Sequence, residues 1–568
     1  MNRRSVIKSA VAAAFLPSRP SQMSSVACAE GTAAKPRSSR IRPGDPAWPS
    51  AASWDQLNRD VGGRLIEVRW PLRACQDDPV GIACGDLFAE LKNPYYVGDE
   101  VGLTQTAGWL DAWTSQSSVF AVAAETTGDV VSAVDFAREH NLRLVVKGGG
   151  HSYLGTSNAS DSLLIWTRGM NSMTLHDAFV AQGCGAVQAP QPAVTVGAGA
   201  IWMHVYNEVT TRGGRYVQGG GCLTIGVAGF VQVGGFGSFS KNYGTAAANL
   251  LEAEVVTADG TARIAKTCTN ADLFWALKGG GGSSFGVVVV TRLTCRTREL
   301  PEYFGGLFTT IRASSDAAFG RLIGQFIAFY ATSLLNPHWG DIVTLQRDNT
   351  LVVRMTFQGL DRQQAHAVWQ PFLGGVVASG SDLNFTLGPR IVEIPARRLW
   401  DLLISGRAMR SSSTTAPTRR RKICSGPAAW ARRGSSCSGS NRFGCRVHCC
   451  SLMGGSGLPT RCSPPRGIGR SGCISRRACP EHPRRRYPPP RTPRQTPPFW
   501  MPSSSRLSLA AGPPAYPGLP DHQPDLEAGR RQARAIGKAA DELRKVAPDA
   551  GTYVAESSFF EREWQRAY

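Results

Sequence analysis

Two glycine runs, each followed at once by a residue with reactive chemistry, stand out in this 568-residue sequence. Gly148-Gly149-Gly150 leads into His151-Ser152-Tyr153, with Gly155 just beyond. Gly219-Gly220-Gly221 leads into Cys222-Leu223-Thr224-Ile225-Gly226, with Gly229, Gly234, Gly235 and Gly237 close behind. Consecutive glycines let the backbone approach a ligand closely and turn its N–H groups on an anion. Neither common nucleotide motif is present. Gly197-Ala198-Gly199-Ala200-Ile201-Trp202 lacks the third glycine of the dinucleotide fingerprint, and there is no Walker A loop. On the glycines alone, tight turns explain both runs as well as phosphate binding does.

The elements around these runs are short and alternate. Val119 to Ala124 reads as a strand, and Thr127 can cap a helix whose Val130, Val131, Val134 and Ala137 share one face. Leu142, Leu144, Val145 and Val146 form a buried strand that feeds the first glycine run, and Leu163 to Trp166 is another. Val194 and Val196 alternate before Gly197, Ile201 to Thr211 reads as a helix, and Leu251 to Thr257 is a strand. Strands and helices in this alternation predict an α+β or α/β domain.

With Lys241-Asn242-Tyr243-Gly244 and Asp272-Leu273-Phe274-Trp275-Ala276-Leu277-Lys278-Gly279-Gly280-Gly281-Gly282 added, the pattern resembles the berberine bridge enzyme-like branch of the vanillyl alcohol oxidase (VAO) superfamily. The GGGHSY loop, the GGGCLT loop, the GVAG…GGFG run and DLFWALKGGGG follow that family's order and spacing. The resemblance covers roughly residues 48 to 400 and picks up again near Tyr516.

It implies an α+β fold, with a two-subdomain p-cresol methylhydroxylase-type FAD-binding domain over 48–298 (core 115–298). An antiparallel-sheet substrate domain follows from 301, described by 301–410 as partial and disrupted. It implies FAD held by backbone amides of the glycine loops: Gly148, Gly149, Gly150, Ser152, Tyr153 and Gly155 in the first, and Gly221, Thr224, Ile225, Gly226 and Gly229 in and after the second. In the bicovalent members, the positions of His151 and Cys222 bond to the flavin 8α-methyl carbon and to C6. Imidazole can add to a quinone-methide form of the methyl group, and a thiolate to electron-poor C6.

Oxidation of an alcohol by flavin needs a base for the hydroxyl proton and a hydride path to the ring. The family's Tyr-x-Asn element is matched by Tyr553, but Ala555 replaces the Asn, so Tyr553 is either a base or a packing tyrosine. The position three after the loop cysteine, Ile225, lies at the flavin edge in the family. A branched four-carbon side chain there fills space that a valine would leave open, and its stiff χ1 keeps it in place, which predicts slow reoxidation by oxygen. The implied activity is oxidation of an alcohol or sugar hydroxyl, with oxygen or another electron acceptor. The alternative is a non-catalytic remnant that binds FAD without an intact substrate site.

The match breaks near Met409. From Ser411 to Trp500 there are 18 Lys+Arg against one acid, Glu481, with eight of the 15 cysteines and 13 of the 36 prolines. Three explanations fit residues 411–505. One is out-of-frame translation of a GC-rich gene. Another is a basic, Pro-rich disordered insert. The third is a cysteine metal site. The metal reading lacks a C-x-x-C pair, since Cys445 and Cys449, around His448, have no second pair to follow. Few aromatics interleave with the charge, so nucleic acid is not expected as a partner. Residues 513–568 resume the family pattern as a truncated C-terminal segment, with a helix over Asp525 to Val546.

The N-terminus, 1–29, reads as a targeting segment. Arg3-Arg4 precedes the apolar stretch Ala10 to Leu16 and a small-residue site at Val26 to Ala29, which suits twin-arginine export to the periplasm or medium. Beyond it no run is long and apolar enough to span a membrane. Export permits disulfides, and Cys75 and Cys84 are the nearest candidate pair, as a bridge or as two buried thiols.

Overall fold

A computed structural model describes residues 40–185, 188–282, 287–400, 473–475, 505–507 and 516–561, apart from 517, 520–521 and 549. The expected targeting segment and most of 411–505 lie outside the described residues. The chain divides at Arg40/Ile41, and the fold described below is that of the unit beginning at Ile41.

Its first layer is a four-stranded sheet ordered Leu65–Glu67, Phe120–Ala123, Ser162–Trp166, Arg143–Lys147. The last three strands run parallel, with Val122 beside Ile165 and Leu144 beside Leu163. A parallel pair needs a crossover, and the helix Thr127–Glu139 supplies it. Its N-cap is Thr126, one residue before the expected Thr127. The Thr126 hydroxyl accepts from the Asp129 amide while the Asp129 carboxylate accepts from the Thr126 amide. That reciprocal box is available only to a residue three positions before an acid. Thr127 instead donates across to Glu254. Val130, Val134 and Ala137 are buried on the expected face, packed with Trp54, Leu163 and Ile165 on one side and Val256 and Val289 on the other.

Val256 and Val289 belong to the second layer. It is an antiparallel sheet ordered Ala262–Lys266, Leu250–Thr257, Val287–Glu299, Gln191–Gly197, Met173–Phe179, with Arg215–Val217 paired to the end of the long strand. The expected helix after Ile201 is α-helical from Trp202 to Tyr206 and continues as a π turn over Asn207–Arg212. Two disulfides brace this half of the molecule. Cys75–Cys84 resolves the open choice in favour of a bridge, and Cys184–Cys268, which no spacing announced, joins residues 84 apart.

The third layer is antiparallel, ordered Leu383–Pro395, Tyr303–Ala313, Thr350–Gln358, Trp339–Leu345, Cys473–Ser475, Ser505–Leu507. The helices Asp316–Phe329 and Arg362–Ala378 cover one face around Trp339, Phe357 and Trp369. Phe326 and Tyr330 are buried there, and Phe329 packs against them. Within 411–505, Cys473–Ser475 pairs with Ile342 to Thr344. Two of these strands touch the segment that follows the second glycine run. A Cβ on Gly340 would sit 2.1 Å from the Ser238 carbonyl, a clash only glycine avoids. Phe304 stacks on Phe239 with ring centres 5.3 Å apart.

The described C-terminal part begins near Tyr516, which packs with Cys75, Cys84 and Leu72. The helix Leu526–Val546 follows, N-capped by Asp525. Arg530 reaches back to Asp111 with two hydrogen bonds of 3.0 and 2.8 Å.

Candidate functional site

The strand Arg143–Lys147 delivers its chain straight into Gly148-Gly149-Gly150. The loop that follows lies directly on the second glycine loop. A Cβ at Gly149 would fall 2.5 Å from the Gly226 nitrogen, and one at Gly226 would fall 2.8 Å from the Gly149 nitrogen. Neither position tolerates a side chain, so here the glycines are required by close backbone approach. Gly150 (φ +74°) and Gly155 (φ +73°) also occupy the left-handed region that other residues avoid, and Gly155 is pressed against the Trp113 ring.

The second loop is stitched to the turn before the Trp202 helix. The amides of Trp202, Met203 and Val227 donate to the carbonyls of Ile225, Leu223 and Ala200 at 3.1, 3.0 and 2.9 Å. The Tyr206 hydroxyl donates to the Gly220 carbonyl at 2.5 Å.

These contacts bring the two glycine loops together. His151 Nε2 lies 2.9 Å from Thr224 Oγ1, two residues beyond Cys222. Cys222 is buried and belongs to neither disulfide. Tyr95, on the helix Pro94–Asp99, shares its surroundings. Burial first, then the nearby Cys222, pushes the Tyr95 phenol well above its ordinary range. The Tyr95 hydroxyl, Gln105 Oε1 and Thr106 Oγ1 are buried without a hydrogen-bond partner among the described residues. Buried polar atoms are normally paired. Three orphans beside a glycine cradle fit a polar ligand, so the residues present suit the pyrophosphate and ring edges of FAD.

The other expected contacts divide. Ser152 accepts from the Leu154 and Thr156 amides at 3.2 and 3.3 Å and from the Thr156 hydroxyl at 2.8 Å, so its side chain shapes its own loop. The Tyr153 carbonyl accepts from Trp113 Nε1 at 3.0 Å. Ile225 packs against the core around Trp202 and Phe230. Gly229 lies inside the helix Val227–Gln232 with nothing within 4 Å of a Cβ, so space does not demand glycine there. Tyr553 is buried against Phe236, ring centres 5.1 Å apart, and the Phe236 carbonyl is 3.5 Å from the Cβ position of Gly220. Tyr553 therefore borders the second loop.

Sequence reasoning missed Lys147, Tyr95 and Tyr206. The one available signal was Lys147 itself, a charge ending an apolar strand.

A surface groove of about 630 Å³ lies between Asp361–His366 and Pro389–Glu393. None of its lining residues belongs to the glycine loops. Among the described residues, no cluster of three or more His, Cys, Asp or Glu could hold a metal, and no helix is long and apolar enough to cross a membrane.

The FAD binding domain family matches residues 119–266. The chain is 34% identical over 302 residues to the FAD-linked oxidoreductase malF of Malbranchea aurantiaca, a match covering 49% of this chain and 50% of that protein. It is 32% identical over 365 residues to the VAO-type flavoprotein oxidase VAO615 of Thermothelomyces thermophilus, covering 60% and 61%. These matches span about half to three fifths of the relatives' length. Among solved structures, the VAO-type flavoprotein MtVAO615 from Myceliophthora thermophila C1 superposes with a TM-score of 0.55 at 29% identity, covering 62% of this chain and 66% of that one. MtVAO713 from the same fungus superposes with a TM-score of 0.66 over 93% and 92% at 17% identity, a likeness of fold.

Proposed function

Since this chain is a relative of the VAO-type FAD-linked oxidoreductases and carries their FAD-binding domain, we propose that it oxidises an alcohol or sugar hydroxyl with FAD attached through His151 and Cys222. The observation that carries the reading is the meeting of the two loops. His151 is hydrogen-bonded to Thr224, in the loop of Cys222, where two glycines leave no room for side chains. Bound FAD supplies an electron-poor ring that accepts a hydride.

The chain's own residues do the rest. The glycine-loop backbones press close enough to present amides to a pyrophosphate. Thr224 holds His151 Nε2, so the bond to flavin falls to Nδ1. Burial of Cys222 keeps water and other thiols from it. Tyr553, at the border of the second loop, takes the substrate's hydroxyl proton as its carbon gives up hydride.

Export to an oxidising compartment is part of the proposal. Two disulfides in one described half of the chain support it. Small-molecule alcohols or carbohydrates are the expected substrates, with oxygen or another acceptor completing the cycle.

The test starts with acid precipitation of the purified protein. Yellow colour retained in the pellet, still retained by His151→Ala through Cys222 and lost in the double variant with Cys222→Ala, is expected. Free flavin in the supernatant of the unmodified protein would overturn the attachment. Anaerobic addition of alcohols and sugars should then bleach the flavin. A second reading, a flavin-binding chain without turnover, is favoured by the partial span of its matches to the curated relatives. It predicts attached flavin that no substrate bleaches.

A further inference from the structure

The residue before the first glycine run, Lys147, is almost wholly buried, with 1% of its surface exposed. Its ammonium donates to three backbone carbonyls, of Glu100, Val101 and Leu103, at 2.8, 2.7 and 3.0 Å. It also lies 5.4 Å from the centre of the Trp166 ring on the neighbouring strand. The segment it grips is the wall of the His151 loop. The Gln105 amide donates to the Gly150 carbonyl at 2.9 Å. A Cβ at Gly150 would sit 3.6 Å from both the Lys147 side chain and the Thr104 backbone. The helix Pro94–Asp99 just before that segment carries Tyr95.

We propose that Lys147 is a positioning residue for flavin attachment: its ammonium pins residues 100–103 against the base of the glycine loop and so holds His151 in the attitude from which it bonds to flavin. This rests on the reading of His151 as an attachment point.

The number of donors makes the clamp sensitive to protonation. An ammonium has three N–H groups for three carbonyls, whereas a neutral amine has two, so deprotonation must release one carbonyl. Burial pushes this lysine down to about 7, while Glu100 and Asp99 act the other way. Asp99 is itself held by Arg168 at 2.6 Å. The remaining neighbour, Trp166 of the parallel strand, carries no charge. The clamp is therefore complete below about neutral pH and loosens above it.

Flavin-free protein, produced under riboflavin limitation and mixed with FAD, tests this. Attachment is read as the His151-linked flavin peptide recovered after denaturation and proteolysis, at pH 6 and pH 8.5, for the unmodified chain, Lys147→Arg and Lys147→Met. Every other group is common to all three, so the ratio to the permanently charged Lys147→Arg isolates the lysine. That ratio should fall about tenfold between the two pH values. Lys147→Met should attach slowly at both while still binding FAD reversibly. Attached flavin with a ratio independent of pH overturns the proposal alone, and no attached flavin in the unmodified chain overturns the His151 reading with it. If Lys147→Arg fails to fold, hydrogen exchange at the Gln105 amide of the unmodified chain decides. Corrected for intrinsic rate, it should accelerate between pH 6 and 8.5, and an unchanged rate overturns the clamp.

Discussion

Thr224 carries one hydroxyl whose contact with His151 joins the two loops. Replacing it with valine keeps the shape and removes the hydrogen bond. Thr224→Val should slow histidyl attachment at least several-fold while leaving the cysteinyl bond, a split that proteolysis and mass analysis of the flavin peptides would resolve. Equal labelling of both peptides at the unmodified rate would deny Thr224 that role. Ile225 is tested by stopped-flow mixing of photoreduced protein with oxygen. Ile225→Val should reoxidise faster than the unmodified chain, and equal rates mean the side chain gates nothing. At this scale much was legible in the sequence. Glycine runs flanking His151 and Cys222 are visible as strings of letters because close backbone approach admits only glycine. Lys147 and Tyr95 were not legible. A lysine at a strand end reads as a solvated terminus until carbonyls from residues 44 to 47 positions away are seen converging on it.

The crossover helix Thr127–Glu139 tests how far local rules reach. Its periodic apolar face was readable, and its start was misplaced by one residue because two adjacent threonines both fit a cap. Only the reciprocal bond with Asp129 distinguishes them. Thr126→Ala should therefore cost about 1 kcal/mol in denaturant unfolding. Thr127→Ala should leave the cap intact and lose only the contact with Glu254. The Cys184–Cys268 bridge is the opposite case. It closes a separation of 84 residues, and no local spacing rule could have paired them. Removing it with the double serine variant should destabilise the protein by about 4 kcal/mol on the chain-entropy estimate. A loss below about 1 kcal/mol would mean the unfolded chain is already constrained there. The strand Cys473–Ser475 was missed for a related reason: its pairing to Ile342–Thr344 is long-range, and its composition is that of the surrounding basic segment.

At the scale of the molecule, Lys147, which is buried, and Lys278, which is half-buried, both contribute to the pH dependence of stability. Lys147 is pushed down to about 7 and Lys278 to about 8, both chiefly by burial, from 10.5 in the open chain. Between those values and 10.5 the unfolded chain binds more protons than the folded one, so these groups make stability rise with pH. From pH 7 to 9 the gain should be about 2 kcal/mol or more in denaturant titrations. Lys147→Met should flatten that rise, and a curve identical in the variant would show Lys147 to be neutral in neither state. The α+β class and the kind of cofactor domain were legible from the order of motifs. The way the three layers meet was not, because contacts such as Gly340 against Ser238 join segments about a hundred residues apart.

The two-pronged hold of Arg530 on Asp111 spans 419 residues. A ribosome adding about 5–20 residues per second needs roughly 20 to 80 s to make that stretch. For the last 301 of those residues, from Gly229 to Arg530, both glycine loops are already made while Arg530 is not, an interval of roughly 15 to 60 s. For tens of seconds, then, the nascent chain holds both loops without the tie between Asp111 and Arg530. Dinucleotide supply during translation, rather than after release, would then set what fraction of molecules leaves the ribosome loaded.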